Sequence, residues 1–145
     1  MGGSRIERAV VDASVAVLLV LPGTGDPSLL HSLRNGGTRL YAPSIIASEV
    51  AAAITKNLRL RQITRFEAQD SFSNWEQLLE ADLLDLIDAN SLLREAFDLS
   101  VQLHHALHDC IYVALAKRER ATFITCDKVF ARKAGGAHVN TEVLG

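Results

Sequence analysis

Short apolar segments rich in β-branched residues alternate along this chain with longer stretches of helical periodicity, and that alternation admits few folds. Ala9-Val10-Val11, Thr38 to Ala42, Thr122 to Thr125 and His138 to Val143 have the length and character of strands. Asp82 to Ile87 is a weaker fifth segment of the same kind. Between them lie predicted helices. The first is an apolar run from Val15 to Leu21, stopped by Pro22-Gly23. A second starts at Asp26-Pro27, carries Leu29, Leu30 and Leu33 on one face and stops at Gly36-Gly37. A third opens at Pro43-Ser44, with Ser44 as N-cap and Ile46, Val50 and Ile54 as its buried stripe. Thr64 and Glu67 form a capping box for a fourth, whose Phe72, Trp75 and Leu79 read as core. Two more run from Ser91 to about Leu103 and from Asp109 to Lys117. Strands joined through helices run parallel, and a parallel sheet needs both faces covered. The expectation is therefore an α/β domain in three layers, α/β/α, around a central parallel sheet.

At 145 residues the chain fits one domain, placed here at residues 5–145, with Met1-Gly2-Gly3-Ser4 read as an appended remnant. Hydrophobic residues make up 48% and charged residues 22%, a globular balance. The net charge of −2 argues against binding duplex nucleic acid by phosphate neutralisation alone. Contact with nucleic acid would need local basic patches or metal ions. Two cysteines, Cys110 and Cys126, make neither a disulfide framework nor a zinc site. No apolar run approaches the ~20 residues of a membrane span, so the expected compartment is a reducing cytoplasm, without membrane attachment.

The chemistry-bearing residues are acidic. Asp12 interrupts the apolar run from Ala9 to Leu21, and Asp127 ends the strand Phe123 to Cys126. In a parallel sheet both fall at the carboxyl edge, where α/β folds place ligands. Glu49 lies within an apolar helix, on the face of Ile45, Ala52, Ala53 and Lys56. Asp109 opens a helix whose next residues, Ile111 to Ala116, are almost all apolar. Taken singly, Asp109 reads as a helix cap, Asp127 as a turn residue and Glu49 as a solvated side chain. As a set, carboxylates facing a dry interior are costly unless paired or bound to metal. An all-oxygen donor set favours Mg²⁺ or Mn²⁺, ions that serve phosphodiester hydrolysis.

Val10-Val11-Asp12-Ala13-Ser14, Pro43 through Glu49-Val50, Asp109 through Ala116 and Ile124-Thr125-Cys126-Asp127 together resemble the PIN-domain family, most closely its VapC-type toxins. The resemblance runs in order over nearly the whole chain. It implies an α/β/α fold and Mg²⁺- or Mn²⁺-dependent cleavage of single-stranded RNA by an endoribonuclease. It implies that Asp12, Glu49, Asp109 and Asp127 are the catalytic and metal-binding quartet, supported by Ser14 and Thr125. It further implies a cognate antitoxin partner and a homodimer. Many relatives carry Asn three residues after the helical Glu, where this chain has Ala52. The alternative is a catalytically silent PIN-fold module that binds RNA or protein. A phosphatase-like or DNA-directed nuclease on a similar scaffold is a third reading.

Other clusters carry weaker signals. Lys56, Arg59, Arg61 and Arg65 are either a solvated helix end or a guide for RNA. Lys128, Arg132 and Lys133 form a second such patch. His104 and His108 have a zinc-like spacing without the Glu that the zinc-protease pattern requires, so a surface or loop role is expected. His108 is the histidine expected nearest the acidic site. The two cysteines are expected to be buried and structural.

Overall fold

A computed structural model describes residues 6–23 and 28–144, apart from the side chains of Leu29 and Leu30. In chain order the elements are β1 (Arg8–Val11), α1 (Ala13–Ala16), a 3-10 turn (Val17–Leu19), α2 (Ser28–Asn35), β2 (Arg39–Pro43) and α3 (Ile46–Arg59). Then follow α4 (Arg65–Glu80), β3 (Asp85–Ile87), a second 3-10 turn (Ala89–Leu92), α5 (Leu93–Leu103) and α6 (Leu107–Glu119). The described chain closes with β4 (Thr122–Thr125), α7 (Lys128–Gly136) and β5 (Thr141–Val143). All strand pairs are parallel, in the order β3-β2-β1-β4-β5. Helices flank the sheet in the expected three layers.

The strand order has a functional consequence. From β1 the chain winds outward through β2 to β3, then returns to the other side of β1 as β4. The order reverses between β1 and β4, and the carboxyl ends of such neighbours border the crevice where open α/β sheets bind ligands. Val11 pairs with Ile124 there, and the Asp12 amide donates to the Ile124 carbonyl at 3.2 Å.

Helix α6 supplies the centre of the core. Cys110 through Ala116 are all buried, seven residues spanning nearly two turns. Such a helix has no solvent face. It packs across β1, β2 and β4 and against α5. Its end is a left-handed residue, Arg120 at φ 52°, after which Ala121 leads into β4.

The structure alters several local expectations. The run from Val15 to Leu21 is not one helix. Asp12 caps a four-residue helix that passes into the 3-10 turn. The expected start at Asp26-Pro27 lies outside the described residues, as do the side chains of Leu29 and Leu30; α2 does end before Gly36-Gly37. Pro43 ends β2 instead of opening a helix, and Ser44 is not the N-cap of α3. That cap is Ile45, without a side-chain bond. The Ser44 hydroxyl instead accepts from the Ala89 amide at 3.0 Å, tying the exit of β2 to the exit of β3. The Thr64–Glu67 capping box is present in full. Trp75 is buried and donates its indole N–H to the Ala47 carbonyl at 3.0 Å, but Phe72 is exposed and outside the core. The last strand is confined to Thr141–Val143 and the third to Asp85–Ile87. Among the described residues no helix is long and apolar enough to cross a membrane.

These placements predict a contrast between two leucines. Leu115 is fully buried on α6, whereas Leu93 at the start of α5 is half exposed. Leu115→Ala is expected to cost about 2–5 kcal/mol through lost burial and a residual cavity. Leu93→Ala is expected to stay within about 0.5 kcal/mol of wild type. Urea unfolding of both variants checks this, and equal midpoints would contradict the central role of α6.

Candidate functional site

Asp12 stands at the reversal point and is the most heavily engaged carboxylate. The Ser14 hydroxyl donates to one carboxylate oxygen and the Thr125 hydroxyl to the other. The Val15 amide donates to Asp12 Oδ1 at 3.2 Å, making Asp12 the N-cap of α1. Ser14 accepts in turn from the Cys126 amide at 3.0 Å, and Thr125 from the Asp127 amide at 3.1 Å. The loop after β1 and the end of β4 are thus stitched together through one carboxylate. Burial raises the pKa of Asp12 above its ordinary value near 3.8. The three donors oppose that rise, and the charge of Asp109 adds to it.

Glu49 and Asp109 approach from the helices. Glu49, half-buried in the first turn of α3, accepts a short hydrogen bond from the Tyr112 hydroxyl on α6. Tyr112 is held far above its ordinary pKa, first by burial, then by its bond to Glu49, and then by the charges of Glu49, Asp12 and Asp109. Those three carboxylates therefore act on one buried hydroxyl. Asp109 sits in the first turn of α6 but does not cap it; the N-cap is Ala106, without a side-chain bond. Its carboxylate instead meets the His105 ring, Oδ2 lying 2.7 Å from Nε2.

Asp127 keeps a different place. It is exposed and accepts from the Phe130 amide at 3.0 Å as the N-cap of α7. Its link to Asp12 runs only through Thr125. The structure thus sets Asp12, Glu49 and Asp109 around the Tyr112 hydroxyl without converging them on one point, with Ser14 and Thr125 supporting Asp12, and leaves Asp127 at the rim.

Whether a divalent cation suits this arrangement turns on the donor set and its spacing. The donors are hard oxygens, which suit Mg²⁺ or Mn²⁺. Among the described residues, however, no three His, Cys, Asp or Glu side chains lie close enough to hold one ion. That rules out a preformed cage there. It leaves the manner in which Mg²⁺ is commonly held, by one or two carboxylates together with substrate phosphates. The residues fit a cation in that open sense alone.

The basic residues divide. Lys56 lines a groove with Ala13, Ser14, Val17, Asn57 and Gln62, running from beside Asp12 toward the α3–α4 turn. Arg59, Arg61 and Arg65 are exposed around that turn but do not line the groove. A larger polar groove, lined by Arg8, Arg120 and Thr122 among others, lies at the opposite, amino edge of the sheet.

Two residues escaped the sequence reading. Tyr112 looked like one more apolar member of α6, and only the docking of α3 against α6 shows its hydroxyl on Glu49. His105, not the expected His108, is the histidine at the site. His108 is exposed, and His104 ends α5 in a left-handed conformation at φ 52°, so the two do not share a helix. The spacing of His105 and Asp109, four residues apart across a helix start, was the available signal. Cys110 is buried and its thiol pushed up to about 11, chiefly by burial. Cys126 is half-buried and also raised, with burial again the main cause.

Residues 9–136 match a family model described as the PIN domain. Curated proteins gave no sequence match. Among solved structures, the chain is similar to VapBC2 of Rickettsia felis bound to a promoter DNA fragment, at 16% identity and a TM-score of 0.67, covering 95% of this chain and 99% of that one. It is similar to FitAcB of Neisseria gonorrhoeae at 18% identity and 0.65, covering 92% and 95%. It is also similar to PAE2754 of Pyrobaculum aerophilum at 15% and 0.65, covering 97% and 92%. At these identities the likeness concerns the fold.

The raised pKa of Asp12 generates a prediction about stability. A carboxyl whose pKa is higher in the folded state costs nothing below its unfolded value. The cost grows as pH rises from the unfolded to the folded pKa and is complete above the folded value. Asp12→Asn removes that charge. It is expected to melt above wild type at pH 7 in EDTA, with the difference shrinking as pH falls toward 4. A variant that melts lower at every pH would show that Asp12 acts chiefly as a hydrogen-bond acceptor.

Proposed function

The chain belongs to the PIN-domain family, whose model spans residues 9–136, and from that premise we propose that its acidic sheet edge is a cation site through which the protein engages a partner and RNA. The observation that carries this reading is the half-buried Asp12 carboxylate, raised in pKa by desolvation and by the charge of Asp109. Such a site is stabilised by whatever positive charge enters it.

One occupant is a cationic side chain. A guanidinium matches carboxylates with two parallel hydrogen bonds. The arrangement as it stands favours this binding role, since each acid already accepts a protein donor and no three converge on one point. Similarity to the VapBC2 and FitAcB structures supports a toxin-type role, with a cognate antitoxin supplying the cation. Leu93, Phe97 and Val101, exposed at four-residue intervals along α5, give a second copy an apolar stripe to cover in a homodimer.

The other occupant is Mg²⁺ or Mn²⁺ arriving with RNA, which makes the protein an endoribonuclease. Asp12 and Asp109 would hold the ion, with Glu49 beside them and Asp127 at the rim. The ion supplies neutralisation of the scissile phosphate and an activated water. The chain's own residues do the rest. Ser14 and Thr125 orient Asp12, Tyr112 orients Glu49, and Lys56 attracts the strand's phosphates along the groove.

Single-stranded RNA incubated with the purified chain in Mn²⁺ or EDTA separates the two roles. Cleavage in Mn²⁺ that is lost in EDTA, and lost in both Asp12→Asn and Asp109→Asn, is the result expected of the nuclease. RNA or antitoxin binding without cleavage assigns the binding module. Undiminished cleavage in EDTA, or by both variants, would remove the acidic edge from the chemistry.

A further inference from the structure

The corner between α5 and α6 holds groups that the proposed function leaves unused. Asp109 lies in the first turn of α6 with its side chain 46% exposed, and one of its oxygens meets the His105 ring. The His105 ring that meets it is only 15% exposed and is held from three directions. The ring stacks on Phe130 of α7, with centroids 4.2 Å apart and planes 13° from parallel. Phe130 is itself buried and packs edge-on against Phe123 of β4. His105 Nδ1 lies 3.3 Å from Lys133 Nζ, whose ammonium also donates to the His104 carbonyl at 3.2 Å. The backbone is pinned as well: the His105 amide donates to the Ser100 carbonyl at 3.3 Å, and the Ser100 hydroxyl donates to the His105 carbonyl.

An ammonium can only donate, so Nδ1 must accept from Lys133. That leaves the ring hydrogen on Nε2, directed at Asp109 Oδ2. The ring is thereby fixed in place, in plane and in tautomer by groups on α7, an element that Asp109 does not belong to. We propose that His105 is a positioning residue: an N–H donor clamped between Phe130 and Lys133 that holds the Asp109 carboxylate in the orientation a divalent cation requires at the acidic edge. The proposal rests on the cation reading above. Its physical content is preorganisation. One Asp109 oxygen is committed to His105. Donors of this kind behind a metal-binding carboxylate contribute about 10–100-fold to metal affinity.

A plain structural staple would use the same contacts to join α5, α6 and α7, and the experiment must distinguish the two. His105→Leu keeps apolar bulk against Phe130 but donates nothing. His105→Gln places an amide N–H close to the position of Nε2. Mn²⁺ is titrated calorimetrically into the whole chain as wild type and as each variant, with a short single-stranded phosphorothioate RNA that resists cleavage supplying the phosphates, and all three are melted in EDTA. The expected result is Mn²⁺ affinity at least about 10-fold weaker in His105→Leu, recovered largely in His105→Gln. Melting temperatures in EDTA do not follow that order, because both variants lose the ring stack. Equal Mn²⁺ affinity in wild type and His105→Leu, or equal weakness in the two variants, overturns the proposal while leaving the cation site standing. No Mn²⁺ uptake by wild type overturns the proposal together with the metal-ion reading, and leaves a cationic side chain as the occupant of the acidic edge.

Discussion

A helix with no solvent face is the constraint on which the rest of this structure depends. Seven consecutive residues of α6, from Cys110 to Ala116, are removed from water. Burying a side chain such as Ile111, Val113 or Leu115 is worth about 1.5–3 kcal/mol. All sides of the helix can be covered only if sheet lies beneath it and other elements surround it. The contacts of α6 with β1, β2, β4 and α5 meet that demand. They also fix the height of Asp109 and Tyr112 above the sheet, because both ride on a helix that cannot shift without exposing apolar surface.

The strand order then decides where charge collects. The reversal between β1 and β4 brings Asp12 beside Thr125, although 113 positions separate them in the chain. Parallel strands present their carboxyl ends at one edge, so the loops after β1 and β4 meet there. Tyr112 and Glu49 join from α6 and α3. A carboxylate in such a place is costly in itself, and the hydroxyls of Ser14 and Thr125 with the Val15 amide offset part of the cost. What remains uncompensated is an affinity for positive charge. An antitoxin side chain and a divalent ion are the two occupants proposed for it.

The acidic residues were legible because each broke a local pattern. Asp12 interrupts an apolar run, and Asp109 precedes one. Their partners were not legible, because hydroxyl and ring groups break no pattern where they stand. Tyr112 fits an apolar helix as well as its neighbours do. Ser44 has the type and position of a helix cap, yet a long-range bond to Ala89 uses its hydroxyl instead. Phe72 lies three residues from Trp75 and reads as core, but it remains exposed. In each case local periodicity states what an element can bury, and the neighbours decide what it does bury.

By itself the sequence determined the alternation of strands and helices, the parallel sheet that such alternation requires, and the acids standing at its carboxyl edge. These follow from local periodicity and from the need to satisfy backbone and cover apolar faces, which every stretch of chain carries with it. Only the tertiary structure decided that β4 returns beside β1, that three carboxylates stand around the Tyr112 hydroxyl while Asp127 stays at the rim, and that His105 rather than His108 reaches Asp109. Those outcomes depend on ångström-scale distances between elements far apart in the chain. Such distances are set by how whole faces pack against one another, and no local pattern encodes them.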